Sequence, residues 1–304
     1  MPKRIWVRFV VTLALVVAGF VVLGADSLGF AQIVKTGDWT ASSADDPAKI
    51  HLNLELRREK GHRHQMGQTY DFGDLQGLSS EQVSSGGPVK FSLVREAGRV
   101  DCEGSFQNGK GSGTFNFTGN QSFVLAMKSR GFDFEDDSNS DNRHDPEERL
   151  FAATTLNVTT ALADDLASAG FGQLHVNDLF KAAIFKIDSK FMREMKATGF
   201  PNLKMEDLVK ARIFKINADF VSQVTQMGFS KESFEGLIKM RIFKITPEFI
   251  SEVRNEGLTD LSIEDLVKLR IFKIDGEFIR QAKADGVPLK VERLVQRRIG
   301  VARN

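Results

Sequence analysis

Cysteine is almost missing from this chain: Cys102 stands alone in 304 residues, so no intramolecular disulfide can form. It falls in an alternating run with Val100 and Phe106, where a thiol serves as a small core side chain. Neither sign of charge prevails. Lys and Arg number 41 against 40 Asp and Glu, a net of +1, which gives no global pull toward nucleic acid or membrane. Long apolar runs are scarce too. The longest, Phe9 to Leu23, holds about 15 residues, below the ~20 that a spanning helix needs. No His-Glu-x-x-His and no Ser-x-x-Lys occurs, so neither a zinc-peptidase helix nor a Ser-Lys acylation site is written in the sequence.

That apolar run has the grammar of a secretory signal. Lys3, Arg4 and Arg8 precede it, and Gly29 and Ala31 suit cleavage before Gln32. Residues 1–31 are expected to be a signal peptide. The alternative is an uncleaved N-terminal anchor, lengthened by Ile5 to Val7. A lipid anchor is not expected, because no cysteine stands near residue 25. Either way the bulk of the chain is expected to be extracytoplasmic, periplasmic or secreted.

The second half repeats. Gly170, Gly199, Gly228, Gly257 and Gly286 follow one another at 29-residue steps. Ile184, Ile213, Ile242 and Ile271 keep the same step and each opens an Ile-Phe-Lys-Ile block; Leu179, Leu208, Leu237, Leu266 and Phe191, Phe220, Phe249, Phe278 keep it as well. Each unit is expected to be two short helices. Thr159, Asp188, Asn217, Thr246 and Asp275 are suited to cap the first, and the glycine column to end it. Ser262 and Asp265 are placed as a capping box for a second helix. One such unit cannot bury its own apolar face, so neighbours must stack into a solenoid. An earlier unit is hidden upstream. Asn120, Phe123, Met127, Gly131 and Phe132 match Asp188, Phe191, Met195, Gly199 and Phe200 at identical spacing, with a ten-residue insertion in the polar run 133–145.

Between residues 34 and 119 the period falls to two. Ile50, Leu52, Leu54 and Leu56 alternate with polar residues, as do Val89, Phe91 and Leu93, then Phe115 and Phe117. Five or six mostly antiparallel strands are expected, with Trp39 anchoring their core. Asn108-Gly109 marks a hairpin whose glycine-rich loop looks longer than two residues. The fold class is therefore α+β: a β domain over 32–119 and helical repeats over 120–304.

Several motifs bear on chemistry. Gly104 to Lys110 approaches a phosphate loop, but Gly111 stands where Ser or Thr must bind magnesium, and a strand pattern follows instead of a helix. Ser112 lacks the flanking glycines of a nucleophile elbow, since Lys110 breaks the pattern. His51, His62 and His64 offer a metal site, or a hydrolase centre in the β domain, against the plainer reading of a solvated strand edge. Asp137, Asn139, Asp141, Asp145 and Glu148 fall at calcium-loop spacing, with Asn142 in place of the usual Gly. A weak calcium site there competes with a plain acidic linker; no other cofactor is implied. Finally, Lys210, Arg212 and Lys215 recur as Lys239, Arg241 and Lys244, then as Lys268, Arg270 and Lys273. Such a ridge is either an internally paired face or a contact surface for a partner.

The unit from Thr246-Pro247-Glu248-Phe249-Ile250 through Gly257-Leu258 to Ser262-Ile263-Glu264-Asp265-Leu266 resembles repeats of uncharacterised exported bacterial proteins. Similar units follow the peptidase domain of antirepressor-type membrane metallopeptidases, relatives of the β-lactam sensor-transducers. The segment Val89 to Phe117 looks like the region before those repeats. The peptidase part is absent, so the resemblance transfers architecture and no catalytic residue. The expected function is a non-enzymatic, exported binding or scaffold protein that presents its repeats to a protein partner in envelope sensing or signalling. Association of the ridge with an anionic membrane surface is the alternative, and no nucleic acid is expected as partner.

Overall fold

The computed structural model describes residues 34–57, 63–135 and 145–300. The segment expected to be a signal peptide lies outside them. Among these residues seven strands form one sheet: β1 (Val34–Ser43), β2 (Lys49–Arg57), β3 (Arg63–Asp71), β4 (Leu75–Gln76), β5 (Gly87–Arg95), β6 (Gly98–Gln107) and β7 (Lys110–Gly119). The order is β3-β2-β1-β7-β6-β5-β4. Every neighbouring pair is antiparallel, and the sheet curls into a half-barrel. That is one or two strands more than the alternation predicts, because β4 is only two residues long and too short to show a period. A short helix, α1 (Ser80–Ser85), precedes β5.

Alternation sorts the two faces. Ile50, Leu52, Leu54 and Leu56 are buried on the concave side while His51 points to solvent. Trp39 lies on that side against Phe91 and Phe106, with its indole N–H donating to the carbonyl of Glu103 at 3.2 Å. The glycines of β6 and β7 make room for it. A Cβ on Gly104 or Gly113 would come within 2.6 and 2.7 Å of the Trp39 ring. The Asn108-Gly109 turn is shorter than its glycine-rich surroundings imply. It has two residues, both left-handed (φ 52° and 73°), the twist that a two-residue hairpin demands. The neighbouring glycines belong to the strands, where they accommodate aromatic rings.

Among the described residues twelve helices follow: α2 (Gln121–Lys128), α3 (Pro146–Thr155), α4 (Thr160–Ser168), α5 (Val176–Phe185), α6 (Ser189–Ala197), α7 (Met205–Ile213), α8 (Ala218–Gln226), α9 (Phe234–Ile242), α10 (Pro247–Asn255), α11 (Ile263–Ile271), α12 (Gly276–Ala284) and α13 (Val291–Arg298). They pair as α2-α3 through α12-α13, and like stacks on like: α2 on α4, α4 on α6, α9 on α11, α11 on α13. Thr159, Asp188, Asn217, Thr246 and Asp275 each accept a bond from the amide three residues on, at 2.7–3.3 Å. Ser262 and Asp265 form the reciprocal capping box. Gly131 and the five later glycines of the column all have positive φ, between 65° and 102°. None of the described helices is long and apolar enough to cross a membrane.

Helix α3 is unlike its counterparts. Eight consecutive residues, Glu148 to Thr155, are buried, because the helix lies across the concave face of the sheet. Phe151 stacks on Phe115 at 5.6 Å and meets Phe117 edge-on at 5.3 Å. The Tyr70 hydroxyl donates to the Thr155 carbonyl at 3.0 Å. The apolar core therefore runs without a break from the half-barrel into the helical stack.

Candidate functional site

The nine ridge residues separate into three sets with different duties. Lys210, Lys239 and Lys268 sit inside second helices and reach across to the first turn of the next one. Lys210 meets Glu235 at 2.9 Å, Lys239 meets Glu264 at 2.7 Å, Lys268 meets Glu292 at 3.2 Å, and Lys181 pairs with Glu206 in the same way. These bonds hold the three ammonium groups above their ordinary range. Glu206 and Glu264 are held below the usual carboxylate range, first by the lysine bond. Glu292 is held low first by bonding to its backbone amide, then by Lys268. This part of the ridge is internally neutralised.

Arg212, Arg241 and Arg270 close the junction within each unit. Their guanidinium carbons lie 3.7 Å from the ring centroids of Phe191, Phe220 and Phe249. Each also donates to a backbone carbonyl at the end of the preceding second helix: Lys186 at 2.6 Å, Lys215 at 2.9 Å and Lys244 at 2.8 Å. Arg298 repeats the pattern, 4.8 Å from Phe278 and 2.9 Å from the Lys273 carbonyl. Burial lowers the pKa of Arg241. None of these four bonds involves a carboxylate.

Lys215, Lys244 and Lys273, joined by Lys186, form the third set. Their φ values are 54°, 51°, 52° and 55°, and they terminate the second helices in the left-handed conformation that normally selects glycine. The fold uses their carbonyls to receive the arginines. Their side chains are exposed and make no salt bridge among the described residues. Two residues before each lysine stands an isoleucine, a side chain ordinarily buried. Ile184, Ile213, Ile242, Ile271 and, one residue early, Ile299 are instead 50–53 % exposed, whereas Ile187, Ile216, Ile245 and Ile274 are buried. Each Ile-Phe-Lys-Ile block thus turns its first isoleucine outward and its last inward. The left-handed lysine between the two isoleucines separates them, and periodicity along the chain does not show that turn.

The other candidates are dispersed. Asp145 caps α3 through the Glu147 amide at 3.2 Å and pairs with Lys35 at 3.0 Å, and Glu148 is buried on the same helix. Asp137, Asn139 and Asp141 lie outside the described residues. No group of three or more His, Cys, Asp or Glu suited to a metal occurs among the described residues. His51 is exposed, with Nδ1 at 2.7 Å from Thr69 Oγ1. His64 stands across from Leu56 in the strand register, a position on the opposite face from His51, and His62 is outside the described residues. Burial pushes the Cys102 thiol up, away from a reactive thiolate. Ser112 is an exposed strand residue.

Comparison with known proteins finds no matching family model, no matching curated protein and no matching solved structure.

Proposed function

We propose that this chain is a non-enzymatic, exported binding and scaffold protein, and that its helical array offers the isoleucine–lysine edge to a protein partner in envelope sensing or signalling. The left-handed lysines carry the reading. A side chain in that conformation costs about 1–2 kcal/mol relative to glycine, and the fold asks only for the backbone carbonyl at these places. Glycine already ends the first helices, at Gly199, Gly228 and Gly257. Strain held at four successive junctions, beside an exposed isoleucine each time, supports a use for those side chains outside the fold. Export rests on the N-terminal sequence, and signalling on the resemblance of the repeats.

A photo-crosslinking residue in place of Ile242 tests this, with Thr114 on the outer face of the sheet as control. In cells that make the protein, a discrete protein adduct is expected from position 242 alone. It should disappear when Lys215, Lys244 and Lys273 are all changed to Glu. Equal labelling at both positions, or none at 242, overturns the proposal.

A further inference from the structure

We infer that the free edge of the sheet, strand β3, binds a second copy of this chain, edge to edge and antiparallel, about a two-fold axis at Gly67. The inference goes beyond the partner of the helical array and rests on other residues.

β3 is the last strand of the sheet on its side. A strand in that place turns alternate amides and carbonyls away from its one neighbour, and they template a further strand. Among the described residues no backbone bond reaches that side. Sheet edges are kept from pairing by brevity, a bulge, proline or lysine. β3 has none of these. It runs nine residues, its register with β2 is unbroken from Arg57–Arg63 to Lys49–Asp71, and it contains neither proline nor lysine. Gln65, Gly67 and Thr69 are exposed. The opposite edge is guarded. There β4 pairs with only two residues of β5, Pro88 on β5 offers no amide, and α1 packs on β6. The same sheet blunts one edge and leaves the other open.

The strand is also complementary to itself. Antiparallel pairing about Gly67 overlaps all nine residues and sets each one opposite a residue of the same face. Gln65 meets the partner's Thr69, Met66 meets the partner's Gln68, and Arg63 meets the partner's Asp71. Each contact occurs twice, as a two-fold axis requires. No like charges oppose one another in this register, and opposite charges do so at both ends, the kind of cross-strand pair that favours a register. Within its own chain Asp71 has Lys49 at 3.9 Å, a cation shared with Asp46 at 3.8 Å, so its carboxylate is loosely held. Moving the axis by one residue shortens the overlap and unpairs Arg63 from Asp71. The axis falls on a glycine, the residue that lets two backbones approach closely.

The test follows the mass of the chain, purified from cells that make it, by sedimentation across a dilution series. A dimer that dissociates on dilution is expected. Asp71→Arg sets like charges against one another at both ends and should weaken the dimer by about tenfold or more. Arg63→Asp combined with Asp71→Arg should restore it, which separates lost pairing from misfolding. Single cysteines report the register. A Cβ at position 67 would meet Asn53 Oδ1 at 3.5 Å, an ordinary contact, and the native Cys102 is buried away from it. Directly opposed strand residues lie about 4.5–5.5 Å apart, within disulfide reach. Gly67→Cys should therefore oxidise to a covalent dimer. Gln65→Cys and Thr69→Cys should not do so singly, and should when combined. A monomer at every concentration, a dimer indifferent to Asp71→Arg, or equal cross-linking from 65, 67 and 69 each overturns the inference. None of these results bears on the adduct expected at position 242, so the proposed function stands or falls separately.

Discussion

Lys244 holds a backbone conformation that glycine would hold with less strain, and its carbonyl alone receives Arg270. Lys244→Gly is expected to stabilise the chain by about 0.5–1 kcal/mol, the lost Cβ strain less the extra freedom of the unfolded state. Urea unfolding measures it, and an unchanged or lower midpoint would show that the lysine serves the fold. Arg241 is the opposite case. Its stacking on Phe220 and its bond to the Lys215 carbonyl make it a structural clasp. Arg241→Ala should destabilise by about 2–3 kcal/mol in the same titration. Lysine would recover only part of that, because it lacks the planar fork. From sequence, both residues look like members of one basic ridge. Their separation depends on which atoms each presents to its neighbours, and a column of like charges does not encode that.

Among the elements, the second helices are joined by a ladder of lysine–glutamate pairs from Lys181–Glu206 to Lys268–Glu292. Glu206 and Glu264 titrate lower in the folded chain than in the unfolded one. Their contribution is therefore present above the unfolded carboxylate value, about 4.3, and is lost as pH falls through the depressed folded values. Glu264→Gln should flatten the decline of stability in that acid range while leaving its alkaline side unchanged, as thermal melts across pH will read. The effect should shrink in high salt, since these pairs are exposed. Caps and glycine stops were legible in the sequence, because each acts on amides three residues away or on its own φ. The left-handed lysines were not, because side-chain identity there runs against the local preference. The hairpin was legible in position and wrong in length. Its neighbouring glycines answer to Trp39, Phe106 and Phe115 on other strands.

For the molecule as a whole, α3 decides how sheet and helices share a core. It belongs to the first repeat by spacing, yet its ring at Phe151 fills the half-barrel against Phe115 and Phe117. Phe151→Ala is expected to cost about 3–5 kcal/mol. It should lower sheet and helix transitions together in melts followed by near- and far-ultraviolet circular dichroism. A fragment ending at residue 119 should fail to fold cooperatively, whereas one ending at 170 should give a single transition. Independent folding of the shorter piece would restore the boundary that the change of period draws at residue 119.

The sequence by itself determined what depends on neighbours along the chain. It specified the two periods, the 29-residue step, the caps, the glycine stops and the earlier unit at Gly131, all of which the backbone expresses within a turn or two. Only the tertiary structure decided which isoleucine of each block faces out, which basic residue is paired, stacked or exposed, and that α3 leaves the stack for the sheet. Those outcomes depend on side chains meeting across units 24–26 residues apart, or across the half-barrel. At such separations packing and desolvation select the partner, and periodicity assigns a residue to a column without assigning it a neighbour.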